Sequence, residues 1–172
     1  MKTKEIISYL LLAFGLLAFQ ILVIDNLDLG AYFKPQILVV LALLFPLNLK
    51  KGYALSLAFT FGIIADFFLD THGINAFSLT LITYIRDIWL PKEERPREDF
   101  NVVPSLSIKL NPKWLTYVIL LTSIYHFIFY TLEFFSLFFM FRILTTSILS
   151  TALCLVFQWI LYLVFLRNKS SV

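Results

Sequence analysis

The chain has 172 residues, is 60% hydrophobic and 15% charged, and carries a net charge of +3. With a mean hydropathy of +0.86, that composition excludes an ordinary soluble domain and points to a polytopic membrane protein built as one compact helical bundle over 1–172. The small basic excess reads as a topology signal and excludes a nucleic-acid footprint, and the single cysteine, Cys154, lies in an apolar run and reads as a small packing residue.

The first predicted helix covers 6–24 after a basic start at Lys2 and Lys4. No small-residue cleavage pattern follows Val23 and Ile24, so it reads as an uncleaved span. A polar loop with Gly30 leads to Pro35, which opens a second, short helix predicted to reach Leu49 and to kink or end at Pro46. Its length suits local bilayer thinning or packing partly against protein.

The third helix is predicted over 53–69 and the fourth over 74–90. In the third, Ala54, Ala58 and Gly62 recur every four residues and Asp66 continues the row; small residues at that spacing allow close backbone approach between helices in lipid. The turn at Asp70, Thr71, His72 and Gly73 makes 61–87 a helical hairpin, with Gly73 supplying the left-handed backbone. The segment 91–113 follows, with Lys92, Glu93, Glu94, Arg95 and Arg97 and the prolines Pro91, Pro96, Pro104 and Pro112; it reads as a cytoplasmic loop. A fifth helix over 114–133, a phenylalanine-rich connector over 134–141 at the membrane interface and a sixth helix over 142–166 complete the chain.

Placing both termini in the cytoplasm puts 12 of the 14 basic residues on that side and leaves Lys34 and Arg142 outside. The expected fold class is therefore all-α, six transmembrane helices, with the Asp70 turn facing outward. In that arrangement Asp66, Asp70, His72, His126, Glu133 and Arg142 converge on the outer half of the bundle. Arg142 is expected to pair with Asp66 or Glu133, since an unpaired charge there is costly. The plain expectation is a buried ion pair that sets helix packing, ahead of ligand or partner binding and well ahead of a metal site from Asp66, His72 and His126. Gly-x-Ser-x-Gly, His-Glu-x-x-His, P-loop and Cys-x-x-Cys patterns are missing from the sequence, so no enzyme, cofactor or metal is expected.

The order Pro35-Gln36, Gly62-Ile63-Ile64-Ala65-Asp66, Gly73 and Tyr84-Ile85-Arg86 resembles the rod shape-determining protein MreD family. Thr71-His72-Gly73-Ile74, Arg86 and the run from His126 to Leu132-Glu133-Phe134 resemble its Bacteroidetes versions, with Asn75 a departure where His is expected. The resemblance implies a multi-pass inner-membrane scaffold, without chemistry of its own, in the elongasome that builds side-wall peptidoglycan and determines cell shape. It implies binding to MreC and a link from MreB filaments to a glycosyltransferase and transpeptidase. It also implies a fold similar to the substrate-binding subunits of energy-coupling-factor vitamin transporters, the competing reading. Those subunits carry an Ala-x-x-x-Ala row on the first helix, whereas Ala13 and Ala18 here have a different spacing.

Overall fold

The computed structural model describes residues 3–27, 34–45, 49–89 and 112–169. These residues are helical throughout apart from turns: α1 (Thr3–Phe19) continuing into a π-helical turn (Gln20–Ile24), α2 (Val39–Leu44), α3 (Lys51–Leu69), α4 (Ile74–Trp89), α5 (Pro112–Phe134), a 3-10 turn (Leu137–Phe139) and α6 (Met140–Lys169). Among the described residues there is no strand. The expected loop over 91–113 lies outside the described residues up to its last two positions, which already belong to α5.

Among the described residues, three helices are long and apolar enough to cross a membrane: Lys51–Leu69, Leu115–Phe134 and Met140–Leu161. Their lipid-compatible faces remain outside the core, with Ile63, Phe127 and Ile148 among the exposed apolar side chains.

α3 and α4 form the tightest pair. The small-residue row explains why: Ala54 and Ala58 are buried, and a Cβ added at Gly62 would lie 2.3 Å from the Ala76 Cα. The row thus packs inside the chain. α5 packs on α6 and on α4, while α2 packs against α4 and α5.

The second helix corrects expectation most. It does not run from Pro35 to Leu49; it is six residues long and every one of them is buried. Pro35 is not in its first turn, because residues 34–36 are non-helical and 37–38 form a turn. Pro46 lies outside the described residues. A non-helical backbone segment inside an apolar bundle needs partners for every amide and carbonyl, and this need organises the site.

Candidate polar clamp and helix-cap site

Residues 34–38 pass between the π-helical turn and helices α5 and α6, and side chains take the place of the missing backbone ladder. Gln20, 1% exposed, receives the Ile37 amide on Oε1 at 2.7 Å and donates Nε2 to the Pro35 carbonyl at 3.4 Å. The Gln36 amide donates to His126 Nε2 at 3.2 Å, and the Gln36 carbonyl accepts from Cys154 Sγ at 3.7 Å. At the entry, the Lys34 amide donates to Ser150 Oγ at 3.2 Å, and the Tyr130 hydroxyl donates to the Lys34 carbonyl. Tyr130 and Ser150 hydroxyls lie 3.0 Å apart, so the three groups close a ring. The Ile37 and Leu38 carbonyls accept from Val40 and Leu41, starting α2.

His126 is completely buried on α5. Its Nδ1 sits 2.9 Å from the Thr122 carbonyl, which can only accept, so Nδ1 carries the proton and Nε2 is the acceptor that Gln36 requires. The imidazole is neutral and both nitrogens are engaged. Gln158 extends the polar seam, donating to Thr122 Oγ1 at 3.1 Å.

Asp66 has a different task. Its Oδ1 accepts from the Asn75 amide at 2.8 Å and the Thr71 hydroxyl at 2.5 Å, and its Oδ2 accepts from the Ala76 amide at 2.8 Å. A carboxylate on α3 therefore caps the start of α4, where unsatisfied amides and the helix dipole favour negative charge. Asn75 adds a bond from Nδ2 to Thr71 Oγ1 at 2.8 Å and receives the Tyr125 hydroxyl on Oδ1 at 3.3 Å. Position 75, the departure from the resemblance, thus ties the cap to α5.

Arg86 mirrors this at the other end. The guanidinium is 2% exposed and donates Nη2 to the carbonyl of Phe45, the residue that ends α2. A cation at a helix C-terminus is favoured by the same dipole. The Tyr117 hydroxyl lies beside it. On the same end the Lys51 ammonium stands 3.9 Å over the Tyr84 ring.

The six polar residues expected to converge are therefore not one cluster. Asp70 and His72 stand at the exposed hairpin tip, 3.9 Å apart, while Asp66 is buried beneath them. The turn is left-handed at Asp70 (φ 53°) and His72 (φ 52°) as well as at Gly73 (φ 94°), where glycine alone was expected to be needed. A shallow hollow of about 440 Å³ opens there, lined by Ile63, Asp66, Phe67, Asp70, His72 and Gly73. Glu133, in the last turn of α5, feels the charges of both Lys34 and Arg142, and the Arg142 guanidinium lies 4.9 Å over the Phe134 ring. The Asp66 oxygens are taken up by the turn and the start of α4, so Asp66 is not the expected partner of Arg142.

Asp66, His72 and His126 do not share a coordination sphere, because Asp66 and His126 are engaged elsewhere and His72 points outward. Pro35, Gly62 and Gly73 act through backbone shape. The sequence pattern did not single out Gln20, Tyr125, Tyr130 and Ser150, and Cys154 read as packing alone. A signal was present for α6: Ser147, Ser150, Thr151, Cys154 and Gln158 recur at helical spacing within an apolar run.

Chemically, the arrangement holds backbone in place. Both His126 nitrogens are engaged, and the Ser150 hydroxyl and the Cys154 thiol contact main chain of residues 34–36. Comparisons with protein-family profiles, with curated proteins and with solved structures return no match.

Proposed function

We propose that this chain is a non-enzymatic scaffold subunit of the bacterial cell-elongation machinery, as the resemblance to the MreD family implies. In this reading it crosses the inner membrane six times with both termini in the cytoplasm. It binds the bitopic protein MreC and helps couple cytoplasmic MreB filaments to the glycosyltransferase and transpeptidase of the side wall.

One observation carries the reading beyond resemblance. Several buried polar residues are occupied in holding main chain: Asp66 at the start of α4, Arg86 at the end of α2, and Gln20, His126, Tyr130 and Ser150 along 34–38. A bundle braced in this way suits a rigid docking platform.

A second reading, a substrate-binding subunit of an energy-coupling-factor vitamin transporter, draws support from the hollow at the hairpin tip. A mild-detergent pull-down of the tagged chain from its native membrane, read by mass spectrometry, separates the two. Recovery of MreC with side-wall synthases is the expected result. Recovery of an energy-coupling transmembrane subunit with its ATPases would replace the scaffold with the transporter.

A further inference from the structure

The two hairpin tips at the outer end of the bundle have opposite chemistry. α3 and the apolar part of α5 (Leu115–Phe134) are 19 and 20 residues long, so each rises about 30 Å toward that end. The tip after α3 is polar and open, with the side chains of Asp70 and His72 96% and 83% exposed. The tip after α5 is apolar and equally open: Phe135, Phe138 and Phe141 are 85%, 90% and 82% exposed. The charges there, Glu133 and Arg142, flank the tip instead of crowning it. A turn meant for water has its polar residues at its apex; this one has them at its base.

Part of the main chain of that tip is hydrogen-bonded locally. The Phe135 amide donates to the Thr131 carbonyl at 3.1 Å. The Phe138 amide turns inward to Ser136 Oγ at 3.4 Å, and the Phe139 amide to the Ser136 carbonyl at 3.2 Å. Phe135 is held at φ 39°, a strained backbone for a bulky side chain, and its ring is thereby presented outward. The Arg142 guanidinium lies 4.9 Å over the Phe134 ring, close to the apolar tip.

We propose that the α5–α6 turn is a lipid-binding wedge: Phe135, Phe138 and Phe141 insert among the acyl chains just below the head groups of the outer leaflet. The occupant is phospholipid rather than a protein surface, because the exposed rings continue the lipid-facing side of α6, where Leu144 and Ile148 are also exposed. Phenylalanine, with no polar handle, suits the acyl side of the boundary; tyrosine and tryptophan suit the head-group side. The wedge anchors this end of α5 and α6 at a set depth while the Asp70–His72 tip stays in water.

Spin-label accessibility tests this directly. In a Cys154→Ser background, Phe138→Cys carries a nitroxide and the protein is reconstituted into phosphatidylcholine vesicles containing a minor share of phosphatidylglycerol. Ile148→Cys serves as the hydrocarbon reference and His72→Cys as the aqueous one. The expected result is that molecular oxygen collides with the label at 138 more than a neutral nickel chelate does, as at 148, while the order reverses at 72. A label at 138 that favours the nickel chelate overturns the proposal. So does one shielded from both reagents, since protein would then cover the tip. If Phe138→Cys does not elute as a folded protein, Phe141→Cys carries the same test.

Discussion

Asp66 illustrates how a residue can be correctly singled out and misread. An acid in the middle of an apolar stretch looks like a reaction or ion-pair centre, yet here three donors from the turn and from α4 satisfy it. Replacing it with alanine leaves two buried amides without acceptors. The expected loss is about 2 kcal/mol or more, at the upper end for a helix cap because the site is buried. Asparagine keeps one acceptor oxygen and should recover part of it; thermal unfolding in detergent, followed through the native tryptophans, measures both. Equal melting of Asp66→Ala and the parent would exclude the capping role. His126 makes a parallel case: glutamine can still accept from the Gln36 amide, whereas leucine cannot and orphans it, at roughly 1–3 kcal/mol. The same assay should therefore rank His126→Gln above His126→Leu.

At the scale of elements, two short-range devices set the architecture. One is the contact of α3 with α4 through Gly62. A methyl group there would meet the Ala76 backbone at 2.3 Å, and backbone cannot swing aside as a long side chain can. Gly62→Ala should thus cost about 1–3 kcal/mol through forced separation of the pair. Gly52, which has open space around it, should accept alanine with little change and serves as the control. The second device is the pairing of buried charges with helix ends. Asp66 sits at the start of α4 and Arg86 at the end of α2, so each is stabilised by peptide dipoles without the other. Arg86→Met removes the donor to the Phe45 carbonyl and should lower the melting temperature more than Lys51→Met on the same end, where only a stacking contact on Tyr84 is lost.

For the whole molecule, the membrane orientation is the property most open to test. The proposed topology puts the Asp70 turn outside and Lys50 inside, and Asp70 is exposed enough to react when replaced by cysteine. A membrane-impermeant maleimide applied to spheroplasts should label Asp70→Cys and leave Lys50→Cys unlabelled until the membrane is opened; the reverse pattern inverts the topology. Helices one, three, four, five and six were legible from hydropathy and turn residues, because apolar runs of that length have few other ways to satisfy their backbone. The short second helix was not. Its apolar stretch has the composition of a span, and only the partners waiting on α1, α5 and α6 make a buried six-residue helix with a non-helical lead tolerable. The dispersal of the expected outer cluster has a similar cause. Helical spacing puts residues on a common face, but it does not say which neighbour meets that face or whether the helix has already ended, as α3 has at Asp70.

The sequence by itself determined an all-helical chain with membrane-compatible spans, a close-packing small-residue row and a tight turn at Asp70 to Gly73, since these follow from local composition and periodicity. Only the tertiary structure decided what the buried polar residues hold. That depends on which amides and carbonyls lack partners once the helices are packed, and such a need arises between segments far apart in the chain, as when Gln36 meets His126 and Lys34 meets Ser150.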